Sequence, residues 1–111
     1  MRKFPLTIAL AAAVSIASIA DAAAPKEYTL TLRNHRFVPA QLVVPANTKI
    51  KLVVVNTDAT PEEFESHELN REKIVTGKGK ITVMLGPLKP GKYPFFGEFH
   101  MKTAQGVLIA R

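Results

Sequence analysis

Short runs of strand-type residues, each closed by a turn signal, fill nearly all of the chain beyond residue 27, and this pattern constrains the fold most. The strongest run is residues 49–55, in which Ile50, Leu52 and Val54 share one face of an extended chain. No stretch between the runs keeps a helical period. About seven short strands in about 85 residues predict one all-β domain, a two-sheet Greek-key sandwich. An immunoglobulin-like domain has the same strand statistics, so the pattern alone leaves the topology open.

Two polar features lie within this pattern. Residues 56–61 are predicted to form a loop, and residues 62–69 form a polar segment that shows no clear strand signal. His35 has the same parity as Phe37, which predicts that it faces inward as a buried, hydrogen-bonded histidine.

The first residues have the features of a secretory signal. Arg2 and Lys3 give a positive start, residues 6–20 are largely apolar, and Ala22 ends an Ala-x-Ala cleavage sequence. A membrane anchor is the alternative, but the run is shorter than the ~20 apolar residues that span a bilayer. The sequence therefore predicts a signal peptide at residues 1–22, one exported domain at residues 23–111, and no stable membrane span after cleavage.

Composition excludes several classes of function. The chain has 111 residues, a formal net charge of +6 and no cysteine, so it forms no disulfide and has no thiolate. Its lysines are scattered and are not clustered with aromatic residues, which argues against nucleic-acid binding. It contains no Gly-x-Ser-x-Gly sequence and no phosphate-binding loop, which argues against a hydrolase. The positive charge serves either solubility or docking on an acidic partner.

Three stretches, taken in order and spacing, resemble cupredoxins, the small sandwiches that carry blue copper. They are Phe37-x-Pro39-x-x-Leu42-x-Val44-Pro45 followed by residues 49–56, then Leu88-Lys89-Pro90-Gly91-Lys92-Tyr93, and then the hairpin at residues 93–106. The resemblance covers nearly all of residues 23–111 and implies a cupredoxin-like Greek-key β-sandwich of about seven strands.

Residues 62–69 and 95–100 are similar to a narrower group, the periplasmic cupredoxin-like proteins found beside bacterial high-affinity iron permeases. This resemblance implies a periplasmic location, copper as the cofactor and a role in ferrous iron uptake. The implied partners are the membrane iron permease and other periplasmic proteins of the same uptake system.

The resemblance also implies that the usual copper ligands are incomplete. Blue copper takes one histidine after the third strand, then a cysteine, a second histidine and a weak axial methionine from the last hairpin. His67 lies in the region of the first histidine, and His100 matches the second. Gly97 stands at the cysteine position, the methionine position falls near Ala104, and Met101 is out of register. A type-1 blue site is therefore not expected.

Nitrogen and oxygen donors remain. Glu63, Glu65 and His67 alternate and so project to one side of an extended segment, while Glu98 and His100 share a parity in the hairpin. In a cupredoxin these two loops meet at one end of the sandwich. The expected metal site consists of His100, His67, Met101, Glu65, Glu63 and Glu98. Such donors suit copper(II) in a pale site, with iron as a possible substrate.

Each of these residues also has a non-metal interpretation. Glu62, Glu63, Glu65 and Glu68 fit a solvated acidic loop, His67 an exposed loop residue, His100 a hairpin cap, and Met101 surface or core packing. Three functions are left open. The first is a copper protein that assists ferrous iron uptake, by ferroxidase-type oxidation of Fe(II) or by handling metal for the permease. The second is a copper carrier or chaperone without redox catalysis, and the third is a metal-free β-sandwich interaction module.

Overall fold

The computed structural model describes residues 24–111, so the predicted signal peptide at residues 1–22 lies outside the described residues. Nine strands are present in these residues. They are β1 (Lys26–Arg33), β2 (Arg36–Val38), β3 (Gln41–Val44), β4 (Ile50–Asn56), β5 (Glu62–Ser66), β6 (Arg71–Val75), β7 (Lys80–Leu85), β8 (Gly91–Gly97) and β9 (Gln105–Ala110). A short 3₁₀ helix, Glu98–His100, follows β8. Among residues 24–111, no helix is long and apolar enough to cross a membrane.

The strands form two sheets, which confirms the prediction of an all-β sandwich. One sheet has the order β2-β1-β4-β7, and the other has the order β3-β9-β8-β5-β6. The β1–β4 and β3–β9 pairs are parallel, while the other pairs are antiparallel. The number of strands is nine where about seven were expected, because the chain also forms the short strand β2 and the strand β5.

The core lies between the sheets and is filled by the inward positions of each strand. Phe37, Phe64 and Phe95 form its aromatic centre, with ring centroids 5.0 Å apart for Phe37–Phe95 and 5.4 Å apart for Phe64–Phe95. The perpendicular ring planes of Phe37 and Phe95 give the edge-to-face contact that aromatic pairs favour. Leu30, Leu52 and Val54 from the four-stranded sheet are fully buried against this centre. The alternation read from the sequence in β4 is therefore confirmed.

Residues 62–69 depart from the sequence-based interpretation. The first five of them form the strand β5, in which Glu62, Phe64 and Ser66 are buried while Glu63 and Glu65 are partly exposed. The period of two is regular, but two of the three inward residues are polar, and this hid the strand from a search for apolar alternation.

Buried polar groups fix the loop that leads into β5. The side-chain amide of Asn56, 1% exposed, donates to the carbonyls of Thr60, Val75 and Thr76. Its oxygen accepts from the backbone N–H of Asp58 at 3.0 Å. These bonds hold residues 57–61 against the sheets and set where Glu62 enters β5.

Candidate metal centre

Glu62 is the buried centre of the first group of polar residues. Its side chain is 3% exposed, and its Oε1 accepts backbone N–H bonds from Phe99 at 2.7 Å and Glu63 at 3.0 Å. Its Oε2 lies 2.6 Å from Nδ1 of His100 and accepts a hydrogen bond from the Nδ1–H group. A buried carboxylate needs such partners, because an unpaired one is strongly disfavoured in the interior. Glu62 thus ties the start of β5 to the turn after β8.

His35 packs on the outer side of this pair. Its ring lies on that of His100 with centroids 3.7 Å apart and planes 13° apart. Asp58 holds it there by accepting the backbone N–H groups of Asn34 and His35 at 2.8 and 2.9 Å. The hydrogen bond from the His35 backbone is the main cause that lowers the pKa of Asp58, against an opposing effect of burial.

The prediction that His35 is a buried, inward-facing histidine is wrong, since its side chain is 42% exposed. Asn34 and His35 form the turn between β1 and β2 and have positive φ angles of 54° and 58°. The parity shared with Phe37 fails because strand alternation does not continue through a turn.

The residues around Gly97 test whether copper fits where this fold normally holds it. An ideal Cβ built on Gly97 would lie 2.6 Å from Cδ of Glu62 and 2.7 Å from Cβ of Ala104. The carboxylate of Glu62 therefore fills the space in which a cysteine side chain would lie. Ala104, at the expected methionine position, is fully buried and offers only a methyl group. The residues present do not fit a type-1 copper centre.

A second group of polar residues lies on the opposite face of β5. Glu63 and Glu65 project outward, and Glu65 is directly opposite Glu72 of β6. One carboxylate oxygen from each of these three residues lies within 4.8 Å of the others. His67 lies beside them, with its Nε2 3.8 Å from Oε2 of Glu65 and its ring 5.6 Å from that of Phe96. We call Glu63, Glu65, Glu72 and Glu98, with His67, the acidic face.

Crowding changes the protonation of the acidic face. A hydrogen bond between the carboxyl groups of Glu63 and Glu72 is the main cause that raises the pKa of Glu63 to about 7. A hydrogen bond with the carboxyl group of Glu98 is the main cause that raises the pKa of Glu65. Oε1 of Glu65 is buried and accepts no hydrogen bond from the described residues. A protonated carboxyl group within the cluster would supply a donor for it. Shared protons or a bound cation would therefore stabilise the cluster.

A cavity opens beside the acidic face. Its volume is about 170 Å³, and Glu65, His67 and Glu72 contribute to its lining. Arg71 also lines it, but its guanidinium donates to the backbone carbonyls of Leu69, Asn70 and Met84. The positive charge nearest the cavity is thus directed at backbone oxygens.

The structure divides the six predicted site residues. Glu63, Glu65, Glu98 and His67 belong to the acidic face, whereas His100 contacts Glu62 and His35 on the inner side. Met101 follows the 3₁₀ helix and is 49% exposed. The expectation that Glu98 and His100 share one side is wrong, because residues 98–100 form a 3₁₀ helix and not a strand. In such a helix, positions two apart point in different directions.

Sequence reasoning missed two residues, Glu62 and Glu72. Glu62 was grouped with a solvated acidic loop, but it has the parity of Phe64 and follows the loop after β4. Glu72 was not among the six expected site residues. The two residues nearest the turn, Ser66 and Arg71, pair with each other, and that register puts Glu72 opposite Glu65. Both signals become visible only when β5 is recognised as a strand.

Comparison with known proteins agrees with the fold. A family model described as a cupredoxin-like domain matches residues 6–110. An uncharacterized protein of Rickettsia prowazekii (strain Madrid E) is 54% identical over 83 residues, which are 75% of this chain and 66% of that protein.

Two solved structures share the architecture at low identity. Auracyanin A, a blue copper protein from Chloroflexus aurantiacus, superposes with a TM-score of 0.69 at 14% identity over 79% of this chain and 100% of its own. A purple cupredoxin from Nitrosopumilus maritimus gives a TM-score of 0.59 at 15% identity over 75% of this chain and 98% of its own. The sandwich expected from the sequence is thus confirmed as a cupredoxin-like fold.

Proposed function

This chain belongs to the family of cupredoxin-like domains, and we propose that it is an exported metal-handling protein that binds ferrous iron at its acidic face and serves an iron permease. The main evidence is the set of three carboxylates from Glu63, Glu65 and Glu72, which each place one oxygen within 4.8 Å of the others. Carboxylate oxygens and an imidazole nitrogen are ligands that divalent iron accepts. His67 supplies that nitrogen beside Glu65.

Burial and charge support the same site. The Glu65 side chain is only 14% exposed, and the donor-free position of its Oε1 is one that a cation would satisfy. The adjoining cavity of about 170 Å³ has room for an ion with bound water. The chain as a whole carries a net charge of +6, so the acidic face is a local exception on a basic protein. That contrast favours collection of cations at one place.

Handling of Fe(II) is better supported than its oxidation. The chain has no cysteine, and the Glu62 carboxylate fills the thiolate position. Blue copper proteins accept electrons at a copper–thiolate centre, and this chain has no thiolate to form one. An acceptor of that kind for the electron of Fe(II) is therefore missing. Copper(II) bound by His67 and the carboxylates of the acidic face is the second candidate, favoured by the 3.8 Å approach of His67 Nε2 to Glu65.

Anaerobic Fe(II) binding tests the proposal. The protein of residues 23–111 is titrated against a chromophoric Fe(II) chelator, with Cu(II) titrated in parallel. We expect the parent protein to bind one Fe(II) per chain. The Glu65→Gln variant should bind Fe(II) with an affinity lower by about tenfold or more. Glu68→Gln is the matched control, because Glu68 is exposed, carries the same charge and lies outside the cluster. Equal Fe(II) affinity in both variants and the parent would contradict the proposal, and binding of Cu(II) alone would favour the second candidate.

Export and the permease partner rest on the sequence resemblance and have their own test. The full chain is expressed in a Gram-negative host, and the mature protein is recovered from the periplasm. We expect a new N-terminus at Ala23, after the predicted signal peptide. Recovery of uncleaved chain from the cytoplasm would contradict export. Association with the permease is measured as Fe(II)-dependent co-purification, which the Glu65→Gln variant should weaken and Glu68→Gln should not.

A further inference from the structure

We infer that the position at which this fold holds copper is closed in this chain by the carboxylate of Glu62, which binds His100 in place of a metal. The Glu62–His100 hydrogen bond then joins β5 to the turn after β8. The inference concerns the inner face of β5 and is independent of metal binding at the acidic face.

Space is the first argument. An ideal Cβ on Gly97 would lie 2.6 Å from Cδ and 2.9 Å from Oε1 of Glu62. Contacts below 3.0 Å between such atoms force a displacement, so a cysteine at position 97 and Glu62 in its present place exclude each other. The Glu62 side chain is 3% exposed and has little room in which to move away.

Hydrogen-bonding capacity is the second argument. Glu62 Oε1 already accepts the N–H groups of Phe99 and Glu63, and Oε2 accepts from His100 at 2.6 Å. Nδ1 of His100 is therefore a donor and has no lone pair for a metal. Binding a metal between the two side chains would break their charge-assisted hydrogen bond, which is among the stronger kinds in proteins.

The surrounding side chains supply the third argument. The ring of His35 lies nearly parallel to that of His100 at a centroid distance of 3.7 Å. Nitrogen lone pairs lie in the plane of their ring, so the lone pairs of two stacked rings lie in separate, nearly parallel planes and cannot both point directly at one ion. Ala104 provides a methyl group, and Asp58 accepts the N–H groups of Asn34 and His35. No set of three converging donors remains among the described residues at this end.

Imidazole nitrogen-15 NMR of residues 23–111 tests the inference, with Zn(II) and anaerobic Cu(I) as diamagnetic probes. His100 is assigned from the spectrum of His100→Gln. We expect the Nδ1 shift of His100 to stay that of a protonated nitrogen up to one equivalent of either ion. A metal-bound shift at His100 Nδ1 in the parent protein would overturn the inference. The His67 signals report the acidic face separately, so failure of that site is distinguishable.

Two variants keep the test decisive. Glu62→Ala removes the carboxylate, and we expect the Nδ1–H resonance of His100 then to lose the shift of a strongly hydrogen-bonded proton, whereas an unchanged resonance would overturn the inference. If this variant is unfolded, the loss of stability caused by Gly97→Ala is measured in three backgrounds: the parent, Glu62→Gln and Glu62→Asp. Glu62→Asp keeps a hydrogen-bonding carboxylate on a shorter side chain. We therefore expect Gly97→Ala to cost less stability in the Glu62→Asp background than in the other two. Equal costs in all three backgrounds would overturn the inference.

Discussion

Glu65 and Glu72 lie directly opposite each other on the neighbouring antiparallel strands β5 and β6. Like charges at directly opposed positions destabilise a sheet, whereas opposite charges or apolar pairs stabilise it. Glu63 and Glu98 lie beside this pair. The hydrogen bond with Glu72 raises the pKa of Glu63, and the hydrogen bond with Glu98 raises the pKa of Glu65. A sandwich that needs only stability gains nothing from this arrangement, and a cation would relieve it.

Glu72→Gln is expected to stabilise the metal-free protein and to remove its response to metal. Loss of one charge from the opposed pair should raise the melting temperature by about 1–6 °C. Mn(II), an air-stable relative of Fe(II), should raise the melting temperature of the parent, because a ligand that binds only the folded state stabilises it. Thermal unfolding with and without Mn(II) measures both effects. A Glu72→Gln protein that responds to Mn(II) as the parent does would refute the prediction, and Glu68→Gln should behave like the parent.

Stability of the metal-free protein should fall as the pH rises from about 4.5 to about 7. The pKa of Glu63 is raised from 4.5 to about 7 in the folded state, mainly by its hydrogen bond with the Glu72 carboxyl group. Within this window the folded protein therefore binds more protons than the unfolded chain, and stability decreases with rising pH. The raised pKa of Glu65 acts in the same direction. The lowered pKa of Asp58 acts only below its ordinary value of 3.8 and does not oppose this trend.

Urea unfolding at several pH values measures this dependence. Glu63→Gln should flatten the decline, whereas Glu68→Gln should leave it in place. Stability that rises between pH 4.5 and 7 in the parent protein would show that the carboxyl groups of the acidic face do not share protons.

Glu62→Ala should destabilise the fold by about 1–3 kcal/mol, because it leaves buried donors without an acceptor. The donors are the backbone N–H groups of Phe99 and Glu63 and the Nδ1–H of His100. Glu62→Gln should cost less, since its amide oxygen still accepts a hydrogen bond in the same place. Urea unfolding at neutral pH compares the two. Equal stability of Glu62→Ala and the parent would mean that the Glu62 hydrogen bonds contribute nothing to folding.

Gly97→Ala should cost about 1–3 kcal/mol, since the added methyl group overlaps both Glu62 and Ala104. Gly91→Ala in the same strand is the matched control, because its Cβ would meet no atom closer than the ring of Tyr93 at 3.8 Å. Both glycines lose the same backbone freedom on folding, so the difference between the two variants reports the steric overlap. Equal changes in unfolding midpoint for the two variants would remove the evidence that position 97 is filled.

Much of the fold follows from local features of the sequence. The alternation in residues 49–55 predicts β4 correctly. The hairpin expected at residues 93–106 corresponds to β8, the 3₁₀ helix and the start of β9. These features are local, because each depends on residues that are close together in the chain.

The candidate site was predicted only in part. Alternation placed Glu63 and Glu65 on one side of an extended segment, and the structure confirms this. The cupredoxin resemblance implied that His100 belongs to the same site, but His100 lies with Glu62 on the other face of β5. Whether the predicted residues bind metal stays a prediction.

The all-β class, the places of most turns and the absence of a copper thiolate follow from composition and period-two alternation, because both are properties of the chain. Which polar groups contact each other depends on the tertiary structure. The Glu62–His100 bond joins residues 38 positions apart, and the Glu65–Glu72 contact depends on the register of β5 and β6. Alternation predicts which face of a strand a side chain lies on, but not which residues of other strands it contacts. Those contacts are set by strand order, by the paths of loops such as residues 57–61, and by the 3₁₀ helix that places Glu98 and His100 on different sides.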